Sequence, residues 1–132
     1  MGDVRDTDPR EKTLIDQMNV EVISTNDIRK ITENVHRQME RLSRLTDLIY
    51  VHVDMDVLAP EEVSGHGLTA PDGPTSQELA ACIKTMFTYP KATAIGIAST
   101  PYGERDPEHL SRQAAIRLIE GAVEGVKKRK SP

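Results

Sequence analysis

The stretch Leu48-Ile49-Tyr50-Val51-His52-Val53-Asp54-Met55-Asp56 decides the fold of this 132-residue chain. Leu48 to Val53 is a nearly continuous apolar run bounded by charge, the pattern of a strand buried on both faces in a parallel sheet. Residues two apart in a strand point to the same side, so His52, Asp54 and Asp56 present one imidazole and two carboxylates in a row, about 7 Å from each to the next. The row falls at the C-terminal end of the predicted strand, where open α/β sheets bind their ligands. Carboxylate with imidazole suits Mn²⁺, Mg²⁺, Fe²⁺ or Zn²⁺, and the lack of nearby Cys argues against a structural zinc site. The alternative is that Asp54 and Asp56 end a strand and start a turn, with His52 hydrogen-bonded in the interior.

After this strand, residues 57–74 hold three Pro and three Gly among polar residues. A loop of that length is expected to be functional. Within it His66, between Gly65 and Gly67, is a candidate for proton transfer or for lining a pocket, the alternative being a solvated loop histidine. Thr75-Ser76-Gln77-Glu78 closes the loop with a capping box, and Leu79, Ile83 and Met86 give the following helix its buried face. Ala92 to Ala98 reads as a second strand. Asp106-Pro107 reads as a cap followed by proline, opening a helix with Leu110, Ala114, Leu118, Ala122 and Val126 on one face.

Before the deciding stretch, Asp8-Pro9 opens a short helix that includes Leu14, Ile15 and Met18. Val20, Val22 and Ile23 suggest a brief strand. Ile28, Ile31, Val35, Met39 and Leu42 are spaced as one helical face. Met18, Met39 and Met86 read as core filler, and His36 and His109 as surface residues. Alternating helices and strands predict an α/β fold of three layers, α/β/α, with a parallel sheet and right-handed crossovers. Residues 1–132 are expected to form a single domain. The segment from Val4 looks like a loop leaving the end of a strand, so a strand is expected to be missing before it.

Composition excludes several classes. Seventeen basic and 21 acidic residues give a net charge of -4, and the only basic run, Lys127 to Lys130, follows the last helix, where cations complement the helix dipole. A nucleic-acid surface needs a clustered basic face, so no nucleic-acid partner is expected. Cys82 stands alone, which suits a reducing cytoplasm. No apolar stretch approaches the roughly 18 residues of a membrane span, so no membrane partner is expected either.

Val51-His52-Val53-Asp54-Met55-Asp56-Val57-Leu58-Ala59-Pro60, with Gly65-His66-Gly67 and Asp72-Gly73-Pro74-Thr75, resembles the second metal-binding motif and substrate loop of the arginase, agmatinase and formiminoglutamase family. Val4-Arg5-Asp6-Thr7-Asp8-Pro9 with Glu11 resembles the family's earlier Arg-Asp-x-Asp-Pro-x-Glu stretch, at fitting spacing. The resemblance covers almost the whole chain. It implies that Asp54 bridges two Mn²⁺ ions and that Asp56 binds one of them. It implies a ureohydrolase-type activity, hydrolysis of C–N bonds in linear amidines or guanidines, by a metal-bridging hydroxide on a small-molecule guanidino or amidino substrate. Trimers and hexamers are common in the family, which suggests a homo-oligomer.

The departures shape the expectation. The family usually has Ser at the position of His52 and Asp at that of Ala59, so His52 enters as a possible extra ligand. Its substrate-holding Glu belongs near Ala98, where no carboxylate stands. Its Gly-Gly-Asp-His and Asp-Ala-His-x-Asp segments, which supply four more metal ligands, have no counterpart here. The expectation is therefore the C-terminal half of an arginase-like fold lacking its N-terminal strands, with Mn²⁺ bound weakly or not at all and no activity from this chain alone. An alternative is a noncatalytic fragment or partner-binding module. Asp54-Met55-Asp56-Val57-Leu58 is also similar to the nucleophile loop of haloacid-dehalogenase-type phosphatases. That motif normally opens its domain and is followed by a paired acidic motif, which this chain does not have.

Overall fold

The computed structural model describes residues 1–2, 5, 7–63, 65, 67 and 69–129. Strands β1 (Ile49–Asp54) and β2 (Ala92–Ala98) pair in parallel, with Val51 opposite Ile95 and Val53 opposite Ile97. Helices α1 (Pro9–Gln17), α2 (Thr25–Lys30) and α3 (Glu33–Leu45) precede β1. Helix α4 (Ser76–Met86) forms the crossover between the strands, and α5 (Leu110–Lys127) follows β2. The parallel α/β arrangement expected from the sequence is therefore present.

One sheet face carries Ile49, Val51, Val53, Ile95 and Ile97 into a core shared with Val35, Met39, Leu79, Ile83 and Leu118. The expectation that β1 is buried on both faces holds for this face alone. Tyr50 and His52 point the other way and are exposed. The reason lies in the alternation itself, since Tyr50, His52 and Asp54, which share the outer face, each bring a polar group. Tyr50 lies across β2 at Gly96, where an added Cβ would stand 2.0 Å from the tyrosine oxygen.

Helices α4 and α5 pack backbone to backbone. A Cβ at Gly121 would meet the Ala80 carbonyl oxygen at 2.5 Å, and one at Gly125 the Lys84 carbonyl oxygen at 2.3 Å. The face expected for α5 is buried at Ala114, Leu118 and Ala122, but this contact also buries Gly121 and Gly125 and leaves Val126 exposed. The helix also starts at Leu110 rather than at Pro107. Asp106 still caps it from below. Its buried carboxylate accepts from the Ser111 N–H at 3.1 Å and the Arg112 N–H at 3.0 Å, two of the donors a helix start leaves open.

The helical face running from Ile28 to Leu42 is broken in two. Ser24 caps α2 and Thr32 caps α3, with Ile31 between them in the left-handed conformation at φ 49°. Asp27 holds this junction, its carboxylate accepting from the Ser24 N–H at 2.9 Å, Asn34 Nδ2 at 3.1 Å and the Thr32 hydroxyl. A β-branched residue in that conformation costs about 1–3 kcal/mol, which the caps on either side offset. The Val20–Ile23 strand is reduced to one parallel bridge, from Ile23 to Gly2, with Val20 and Val22 exposed. Met18 is 68% exposed and is no part of the core. His36 is half-buried, its Nδ1 2.9 Å from the Tyr89 hydroxyl, whereas His109 is exposed.

Candidate functional site

Asp54 is the last residue of β1, and the chain turns at once into a short 3₁₀ helix, Met55–Val57. The turn forms because the Asp54 carboxylate accepts from the Asp56 N–H at 3.3 Å, and because Met55 and Leu58 are fully buried. The strand alternation that aligned His52, Asp54 and Asp56 thus applies only as far as Asp54. Asp56 belongs to the turn. Both carboxylates nevertheless line the same groove, of about 910 Å³, together with His52, Arg5 and Glu11. His52 is exposed, and its Nδ1 lies 3.2 Å from the Tyr50 hydroxyl. Glu11 is tied into the capping box of α1, accepting from the Asp8 N–H at 3.1 Å.

The loop after this turn is closed at its base and held from outside. The Ala59 N–H donates to the Pro74 carbonyl at 3.0 Å. Gly73 passes so near the outgoing strand of the loop that a Cβ there would stand 2.5 Å from the Leu58 carbonyl carbon and 2.6 Å from the Ala59 nitrogen. Arg5 spans the loop: one nitrogen donates to the Val57 carbonyl at 2.6 Å, the other to Ala70 at 2.9 Å and to Pro71. Arg29, from α2, donates to the Asp72 and Gly73 carbonyls at 2.9 and 2.8 Å and lies 3.6 Å from Glu78. Glu62 accepts from the Ser76 N–H at 3.2 Å, which ties the loop to the start of α4. Two arginines therefore position the backbone that leaves Asp56. Arg5 stood in a recognised motif, but nothing in the sequence marked Arg29.

His66, the candidate for proton transfer, lies outside the described residues, as does Asp6. Ala98 stands directly beside Asp54 in the strand register, so the end of β2 presents a methyl group there. Among the described residues no three of His, Cys, Asp and Glu come together closely enough to hold a metal ion. Asp54 and Asp56 supply the hard oxygen donors that Mn²⁺ or Mg²⁺ prefers, but not the number of them. The donor set of the described residues does not fit a complete metal centre.

The model of the arginase family matches residues 2–121. The chain belongs to the arginase family. That match runs through Asp54 to Leu58, so these residues are read with the arginase family rather than as a phosphatase nucleophile loop. Formimidoylglutamase from Bacillus subtilis superposes with a TM-score of 0.83 at 22% identity, over 96% of this chain and 40% of its own. Arginase from Bacillus caldovelox gives 0.74 at 22% identity, over 94% and 42%. Agmatine ureohydrolase of Thermoplasma volcanium gives 0.61 at 21% identity, over 98% and 43%. The chain thus spans about two-fifths of the length of these solved structures, which establish its fold. No curated protein matches the sequence. No helix among the described residues is long and apolar enough to cross a membrane.

Proposed function

We propose that this chain contributes Asp54 and Asp56 as two ligands of a divalent-metal centre, Mn²⁺ by family resemblance, that hydrolyses C–N bonds in linear amidines or guanidines in the cytoplasm. The observation that carries this reading is the placement of both carboxylates at the C-terminal end of a parallel strand, on a groove, in a chain of the arginase family. Paired divalent cations lower the pKa of bound water enough to give a nucleophile near neutral pH. The chain's own part is to hold two carboxylates in place: Asp54 by its bond to the turn, Asp56 by a turn whose exit Arg5 fastens. The rest of the ligand set comes from outside the described residues, so neither tight metal binding nor turnover is expected of them alone.

The test is calorimetric titration of Mn²⁺ into the chain and into the Asp54→Asn, Asp56→Asn double variant, with urea and ammonia release followed in parallel. Weak binding that disappears in the double variant is the expected result. Identical titrations for the two proteins would remove these residues from the metal site. Tight binding of two ions, lost in the variant, would assign a complete centre and an active enzyme to this chain.

A further inference from the structure

The outer face of β1 carries an imidazole that is held at one nitrogen. Tyr50, His52 and Asp54 alternate onto this face, and neighbours two apart in a strand stand about 7 Å from each other. The Tyr50 hydroxyl lies 3.2 Å from His52 Nδ1. It reaches that nitrogen by crossing β2 at Gly96, the residue opposite His52 in the strand register. A Cβ at Gly96 would stand 2.0 Å from the tyrosine oxygen and 2.9 Å from Cζ, so the ring has this path only because residue 96 is glycine. Three residues on two strands thus fix the orientation of one side chain. His52 Nε2 makes no hydrogen bond among the described residues, and His52 lines the same groove as Asp54 and Asp56.

An imidazole engaged at Nδ1 and open at Nε2 is the form in which histidine binds metals, because the first contact sets the tautomer and the ring orientation and makes the other nitrogen a better donor. His36 has a similar tyrosine contact, with the Tyr89 hydroxyl 2.9 Å from its Nδ1, but it lies on α3 and is not a groove residue. We infer that His52 Nε2 joins Asp54 as a donor to the divalent cation, with Tyr50 as its positioning residue, and that this nitrogen turns the preference of the site from Mn²⁺ toward Zn²⁺ or Co²⁺. Carboxylate oxygens alone suit Mn²⁺, whereas an imidazole donor suits the later metals, whose affinities rise along the series from Mn²⁺. With the cation on Nε2, Nδ1 carries the proton and donates it to the Tyr50 oxygen. His52 and Asp54 are two donors, in keeping with the absence of a three-residue metal group among the described residues, so binding is weak. The inference rests on the reading of Asp54 as a metal ligand and concerns which cation it holds.

The test titrates Zn²⁺, and separately Mn²⁺, into the full ¹⁵N-labelled chain, with calorimetry for affinity and imidazole ¹⁵N spectra for the donor atom. The expected result is tighter binding of Zn²⁺ than of Mn²⁺, with the His52 Nε2 resonance moving to the metal-bound range while those of His36 and His109 stay in place. His52→Gln should lose the preference for Zn²⁺. Tyr50→Phe and Gly96→Ala should each weaken Zn²⁺ about 10-fold, the size of an outer orienting contact, with a smaller effect on Mn²⁺. Both variants keep the fold, since Tyr50 is 59% exposed and its ring, not the backbone, yields to a Cβ at residue 96. The inference is overturned if Zn²⁺ binds no more tightly than Mn²⁺, if the His52 resonance does not move, or if Tyr50→Phe and Gly96→Ala both bind Zn²⁺ as the native chain does. Mn²⁺ binding that is lost in the Asp54→Asn, Asp56→Asn variant while Zn²⁺ leaves His52 unmoved would overturn this inference and keep the carboxylate reading. Zn²⁺ that moves His52 equally in that double variant would overturn both, leaving a lone histidine.

Discussion

Gly73→Ala puts the base of the functional loop to the test. The added Cβ would stand 2.5 Å from the Leu58 carbonyl carbon and 2.6 Å from both the Ala59 nitrogen and the Val57 oxygen. All three are backbone atoms, so no side chain can swing aside, and the two legs of the loop must separate by close to 1 Å. Overpacking of this kind costs about 1–3 kcal/mol. Separation also stretches the bond from the Ala59 N–H to the Pro74 carbonyl, worth about 1 kcal/mol. The sum is a loss of about 2–4 kcal/mol, or roughly 6–20 °C in Tm for a domain of this size. Urea denaturation followed by circular dichroism reads it as a lower midpoint at constant slope. Gly67→Ala in the same loop is the control, since nothing lies within 4 Å of its Cβ, and it should be neutral or slightly stabilising. Equal midpoints for Gly73→Ala and the native chain would refute the close approach and, with it, the closed base of the loop.

Three further outcomes follow from other parts of the molecule. Gly121→Ala should destabilise by about 1–3 kcal/mol, although helix propensity alone favours alanine by about 1 kcal/mol; a gain in Tm would mean that α4 and α5 do not meet at Ala80. The Asp27 carboxylate is held below the usual carboxylate range, chiefly by the Thr32 hydroxyl and then by Ser24. Its contribution is therefore present above about pH 4 and lost as the pH falls further, so Asp27→Asn should flatten the acid side of the stability profile, and an unchanged profile would count against the junction. Burial pushes the Cys82 thiol up to about 12, so iodoacetamide at pH 8 should label it only after urea unfolding; labelling of the folded chain at the rate of a free thiol would contradict its burial.

What was legible in the sequence was what local chemistry dictates. Both strands, the Thr75 capping box and the start of α1 at Asp8-Pro9 stand where composition and cap residues put them. The break at Ile31 was hidden because the apolar period runs through it: Ile28, Val35 and Met39 are all buried whether the helix is continuous or split. Val126 was misplaced for the opposite reason, since a periodicity rule seeks large apolar residues, and α5 instead buries glycines that let its backbone reach α4.

The site divides in the same way. Asp54 and Asp56 were singled out in the sequence by the family motif around them, but the 3₁₀ turn that separates them in geometry depends on where the strand stops pairing. The clamp on the loop was legible only through the motif that holds Arg5, and its acceptors were not legible at all. Arg5 and Arg29 donate to main-chain carbonyls, and a carbonyl is present at every residue, so the acceptor positions carry no side-chain signature. Gly73 is the exception, because a backbone drawn that close leaves room for no Cβ. The position of the loop beside Asp56 is thus written in arginines whose partners are anonymous and in one glycine whose partner is steric. That is why a substitution at Gly73, rather than at any charged residue, reports most directly on how the carboxylates are held.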